Sequence, residues 1–203
     1  MSIILLLLRL PILVVHILVG LFTILFFPKE PKNFKNSHYR IMMLWMNILS
    51  SILGIKIDIR GIPDQSANLF VSNHVTYLDI IIINKLLPVN FIAKEEISSW
   101  PVIGRLASKT GTLFIKRGDN VESSKMIYEM EERFKLQNKI VFFPEGKIGN
   151  GKRVRKFHYK LFKSIENKEL YIQPIAIRYP SGYPINNNYS EIISDKSLKG
   201  EMF

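Results

Sequence analysis

Residues 3 to 27 read IILLLLRLPILVVHILVGLFTILFF, apolar except for Arg9, His16 and Thr23. No other stretch constrains the fold so strongly. Away from water a backbone must satisfy its own N–H and C=O groups, which a single segment can do only as a helix. The 18 residues from Leu10 to Phe27, with the part before Arg9, suffice for a membrane-embedded helix, about 20 residues matching a hydrocarbon core of ~30 Å. Arg9 and Pro11 are expected to tilt, kink or split it. The region is too long for a secretory signal peptide, and Pro28, Lys29, Glu30 and Pro31 follow it in place of a small-x-small cleavage site, so it is read as retained. Lys29, Lys32, Lys35 and Arg40 come next. By the positive-inside rule the remainder is expected on the cytoplasmic face, with Arg9 a smaller opposing vote.

A second apolar segment, Ile41 to Ile55, is short for a span and carries Trp45, Asn47, Ser50 and Ser51. Its length suits a helix lying in or re-entering the membrane interface with Trp45 at headgroup depth; a buried core helix is the other reading. The two segments define an N-terminal anchoring hairpin over 1–55.

The whole chain has 203 residues and a net charge of +11. That size allows one substantial core, and the charge implies an anionic partner: nucleic acid, an anionic membrane surface or a phosphorylated substrate. The absence of cysteine excludes disulfides, Cys-ligated zinc and a thiol nucleophile.

From Lys56 onward strands alternate with helices. KIDIRG, NLFVS, NFIAK, TLFIKR, KIVFFPEG and LYIQPIAIRY read as strands bounded by turn residues. YLDIIIINKLL is expected to be a helix ending at Pro88, SSWPVIGRLASKTG a broken helix, and Asp119 with Glu122 a capping box opening a helix to about Gln137. Strands joined by helical crossovers predict an α/β fold, a mixed, partly parallel sheet flanked by helices, with functional groups gathered beyond the strand ends. Residues 181 to 203 are polar and read as a loosely ordered or shortened terminus.

In NLFVSNHVTYLD a buried strand runs into Asn73 and His74, with Asp79 five residues after the histidine. An imidazole whose one nitrogen is held by a carboxylate leaves the other free to take a proton from an alcohol. A helix-entry Asn with a satisfied histidine would give the same pattern. A metal site at His74 and Asp79 lacks a third ligand in sequence, and no metal is expected. Between Lys147 and Lys163 stand seven basic residues and no acid. That stretch suits a phosphate, an acidic carrier protein or anionic headgroups, or is a solvated loop.

SNHVTYLD, GTLFIKR, FFPEG and IQPIAI, in that order and spacing, resemble the four sequence blocks of the glycerolipid acyltransferase family, which includes 1-acyl-sn-glycerol-3-phosphate (lysophosphatidic acid) acyltransferase. AKEEISSWPVIGRLASKTG resembles it too, so the likeness runs from about Leu69 to Ile177. It implies an acyltransferase domain over 56–203, shortened at its C-terminus, with His74 and Asp79 catalytic. It also implies substrate-binding roles for Asn73, for Gly111 and Arg117 of the second block, and for Glu145 and Gly146 of the third. Arg117 would bind the acceptor phosphate, as a planar fork suits a phosphate monoester. The implied reaction transfers a fatty acyl group to a lysophospholipid, 1-acylglycerol 3-phosphate first among them, without an acyl-enzyme. Acyl-CoA or acyl carrier protein would be the donor substrate, with no cofactor; membrane lipids are the expected surroundings and nucleic acid is not an expected partner. Lys147, where the family has Thr or Ser, and His158 and Lys160 in FHYKLF depart from the pattern. They leave open other acceptors, such as a lyso-ornithine lipid, and a non-catalytic, membrane-tethered basic module that binds lipid or nucleic acid.

Overall fold

A computed structural model describes residues 3–28, 30, 34–116, 120–149, 154–166, 168–179 and 189–194. The apolar N-terminus forms α1 (Ile3–Thr23), which runs through Pro11 and ends in a single 3-10 turn at Ile24–Phe26. Leu7–Phe26 is long and apolar enough to cross a membrane, and its side chains are mostly uncovered by the rest of the protein. Helix α2 (Asn36–Leu53) folds back along it: the rings of His16 and Trp45 stack 4.5 Å apart, and Phe27 meets His38. Trp45 Nε1 donates to the His16 carbonyl at 3.2 Å, while His16 Nε2 donates to the Trp45 carbonyl at 3.1 Å. Gly20 makes room for this contact, since a Cβ there would lie 2.7 Å from Trp45 Nε1. Trp45 therefore packs against α1 through both its ring face and its ring nitrogen. The apolar segment read from Ile41 is the latter part of a longer helix with two packed faces, one on α1 and one on α3 (Leu78–Leu86).

The remaining strands are β1 (Lys56–Arg60), β2 (Leu69–Ser72), β3 (Val89–Lys94), β4 (Leu113–Ile115), β5 (Lys139–Phe142), β6 (Ile172–Arg178) and β7 (Tyr189–Ser194). Among the described residues they form one sheet in the order β1-β7-β6-β2-β5-β3-β4, every neighbouring pair parallel except β6 with β7. The mixed, largely parallel α/β sheet flanked by helices is the fold that the alternation of elements predicts. Both faces are covered, which explains the continuous apolar runs. Phe70 packs with Ile82 and Ile83 of α3 on one face, while Leu69 packs with Met126 and Met130 of α5 (Asn120–Lys135) on the other.

The predicted broken helix is a 3-10 turn at Glu95–Ser99 followed by α4 (Ile103–Lys109). Helix α5 stops at Lys135, two residues short of the expectation. Asp119, the expected capping residue, lies outside the described residues. The larger addition is β7, a strand not expected in the tail read as loosely ordered or shortened. Its place is set by backbone pairing between β1 and β6, Ile57↔Ser190 on one side and Ile177↔Ile192 on the other. Such pairing draws on N–H and C=O groups that every residue has and leaves little trace in composition.

Helix α2 also reaches into the sheet. Burial pushes the Tyr39 phenol up to about 12, against the opposing pull of Arg133 and Asn90, so at neutral pH it is a donor. It donates to Asn90 Oδ1 at 2.9 Å, and Asn90 Nδ2 donates to the Thr110 carbonyl at 3.0 Å. Tyr39→Phe leaves a buried carbonyl oxygen unpaired, which costs about 1–3 kcal/mol. Denaturant unfolding in detergent micelles is expected to show that loss, and an unchanged midpoint would mean that the bond contributes nothing net.

Candidate active site

Strands β6, β2 and β5 are adjacent and parallel, so the segments leaving their carboxyl ends emerge side by side. Val71 pairs with Phe142 and Ser72 with Ile175, which brings Asn73 and His74 level with the Phe143–Gly146 turn and with Ile177. Asn73 completes the pairing with its side chain. Its Nδ2 donates to the Ile177 carbonyl at 2.9 Å and its Oδ1 accepts from the Ile177 N–H at 2.7 Å, as a backbone neighbour would.

Directly beyond, the chain turns through Val75 and Thr76 into α3, with Asp79 in the first turn of that helix, where the macrodipole favours a carboxylate. Asp79 is fully buried, at 0% exposure. Its Oδ2 accepts from the Val75 N–H at 2.6 Å, the Thr76 N–H at 2.9 Å and His74 Nδ1 at 2.8 Å. A carboxylate only accepts, so the shared proton sits on Nδ1 and the lone pair of Nε2 is left to accept another. The imidazole lies flat on the Phe143 ring, 4.0 Å between centroids and 12° between planes. Its backbone carbonyl accepts from the Gly149 N–H at 2.7 Å. The ring is thus held at one nitrogen, on one face and through its backbone.

Glu145 and Gly146 share this end of the sheet. Gly146 turns at φ +67°, a conformation that favours glycine, and its N–H donates to the Phe143 carbonyl at 2.9 Å. Glu145 is buried, and its Oε2 accepts from the Arg155 N–H at 3.1 Å, while the His158 N–H bonds the Pro144 carbonyl. The turn therefore holds the exposed, basic segment 154–160 beside the site.

The other expected site residues are not gathered there. Gly111 turns α4 into β4, and continuing the β3–β4 register sets it level with Asn90 and Ile140, at the far edge of the sheet from His74. With strands about 4.8 Å apart, β4 lies about 14 Å from β2. Arg117 lies outside the described residues. Among the described residues no three His, Asp or Glu side chains converge as a metal site would require. Two contacts of the pair went unread in the sequence: Phe143 beneath the ring and Tyr179, whose hydroxyl donates to Asp79 Oδ1 at 2.7 Å. Only the knowledge that β6 neighbours β2 would have brought Tyr179 forward.

A strand-end imidazole held by a buried carboxylate, in a parallel α/β sheet, is the equipment of an enzyme that uses a general base. The chain belongs to the Acyltransferase family, whose model matches residues 56–178, more than half of it. It is 34% identical over 140 residues to a lyso-ornithine lipid O-acyltransferase of Pseudomonas aeruginosa, covering 69% of this chain and 54% of that protein. It is 36% identical over 136 residues to the lyso-ornithine lipid O-acyltransferase of Rhodobacter capsulatus, covering 65% of this chain and 49% of that one. Over 147 residues it is 29% identical to a 1-acyl-sn-glycerol-3-phosphate acyltransferase of Neisseria gonorrhoeae, covering 71% and 57% respectively. The chain thus spans about half the length of the curated relatives it matches. In fold it resembles the crystal structure of the 1-acyl-sn-glycerophosphate (LPA) acyltransferase PlsC from Thermotoga maritima, with a TM-score of 0.70 at 16% identity over 98% of this chain and 87% of the other.

Asn73→Ala removes both bonds to Ile177. Amide hydrogen exchange at Ile177 is expected to speed up by at least 10-fold, the equivalent of about 1.4 kcal/mol of lost local protection. Unchanged exchange would show that the strand pairing alone holds this end of β6.

Proposed function

We propose that this protein is a membrane-bound O-acyltransferase that moves a fatty acyl group from a thioester to the free hydroxyl of a lysolipid. The observation that carries the reading is the His74–Asp79 pair, 2.8 Å apart at a strand end, in a chain of the Acyltransferase family. Nε2 of His74 takes the proton as the acceptor oxygen attacks the thioester carbonyl. The C–O bond forms, the C–S bond breaks, and the imidazolium returns its proton to the leaving thiolate. Asp79 stabilises the transient cation and holds the tautomer. Nothing in this route needs an acyl-enzyme, a metal or a cofactor, and the donor is acyl-CoA or acyl carrier protein.

The apolar α1 supports membrane attachment, and the basic residues after it support a cytoplasmic site. Two acceptor classes are supported by different observations. The similarity to the two lyso-ornithine lipid O-acyltransferases favours a lyso-ornithine lipid. Arg117, the basic stretch after Glu145 and the Neisseria relative favour 1-acylglycerol 3-phosphate, giving phosphatidic acid. Asn73, Glu145 and Gly146 then serve the acceptor side, Asn73 through the backbone that it orders, whereas Gly111, three strands away, has no part in it.

Purified membranes containing the protein, given labelled acyl donor and each lysolipid in turn, test the reading. His74→Ala is expected to lose a factor of about 10²–10⁴ in turnover while remaining folded and membrane-bound; near-normal turnover in that variant would sink the mechanism. Arg117→Ala is expected to raise KM for 1-acylglycerol 3-phosphate and leave the donor KM alone. A change confined to the donor would assign Arg117 to the other substrate.

A further inference from the structure

We propose that Tyr179 is a positioning residue of this reaction, its hydroxyl fixing the Asp79 carboxylate that holds His74; the inference rests on the reading of His74 as the base. Three donors converge on Asp79 Oδ2, those of Val75, Thr76 and His74, while Tyr179 donates to Oδ1 at 2.7 Å. A carboxylate held at one oxygen can still turn about its Cβ–Cγ bond and exchange the oxygen that it offers the imidazole. A donor on the second oxygen removes that freedom. The direction of the bond is unambiguous, because a phenol donates and a carboxylate accepts. It is also charge-assisted, and by taking up part of the carboxylate's charge it keeps the shared proton on the imidazole.

The placement of Tyr179 is built by the same elements that place the base. Ile177, two residues earlier, is bonded at both its N–H and its C=O by Asn73, the residue immediately before His74. Strand β6 is thereby fixed to the dyad's own turn, and the next side chain but one reaches Asp79 across 100 residues of sequence. A tyrosine that served only to close the end of β6 would have no need to direct its hydroxyl at the one fully buried carboxylate of the site.

The test uses the full chain as wild type, Tyr179→Phe, Asp79→Ala and the double variant; phenylalanine keeps the ring and loses the hydroxyl. In Tyr179→Phe, kcat for acyl transfer is expected to fall roughly 10-fold, the equivalent of one charge-assisted bond, with KM for lysolipid and donor unchanged. Amide exchange at Val75 and Thr76 is expected to quicken as the carboxylate loosens. In the Asp79→Ala background Tyr179→Phe is expected to have no further effect, because its influence passes through Asp79. An unchanged kcat beside an active wild type, or an equal loss in both backgrounds, overturns the proposal. Should the wild type transfer no acyl group to any lysolipid, the functional reading fails and exchange decides the positioning role by itself: faster exchange at Val75 and Thr76 supports it, and unchanged exchange overturns it.

Discussion

A carboxylate taken out of water is destabilised by several kcal/mol unless hydrogen bonds replace its hydration. Asp79 has no exposed surface, and four donors replace that hydration: two backbone N–H groups of the turn ahead of its helix, the imidazole of His74 and the phenol of Tyr179. Those donors come from the carboxyl end of β2, the entry to α3 and the end of β6. The local fold and the orientation of the His74 imidazole are therefore one requirement. Any rearrangement that releases the imidazole also leaves a buried charge short of a partner.

The sheet makes this arrangement available. Parallel neighbours end on the same side, so β6, β2 and β5 deliver Tyr179, His74 and the Phe143–Gly146 turn to one place without long loops. The N-terminal helices attach through α3. Helix α2 lies between α1 and α3, and Lys85 of α3 bonds Ser50 of α2 at 3.3 Å. The same short helix thus carries Asp79 at its start and a tie to α2 near its end.

The sequence was most legible where a property repeats along the chain. Apolar runs such as NLFVS and KIVFF marked the doubly covered strands, and the interval from His74 to Asp79 marked a pair that lies within one turn and helix start. Contacts across long intervals were not legible. Tyr179 acts through a single hydroxyl 100 positions from its partner, and Asn73 acts as a strand neighbour to Ile177, 104 positions away. Neither leaves a periodic signature. Strand β7 was hidden for a related reason, since it is held by backbone pairing between β1 and β6 in a tail whose composition is polar. Gly111 belongs to the same block as Arg117 in sequence, yet the register separates it from the dyad by the width of three strands.

Every step of the proposed transfer depends on Asp79 holding His74 in the neutral tautomer whose Nε2 is bare. The most direct measurement is the ¹⁵N spectrum of the protein labelled in histidine, with His74 assigned by its disappearance in His74→Gln. In its neutral form the ring is expected to carry the proton on Nδ1 and leave Nε2 bare, a preference that Asp79→Ala abolishes. A neutral His74 protonated on Nε2, or a tautomer indifferent to Asp79, would contradict it.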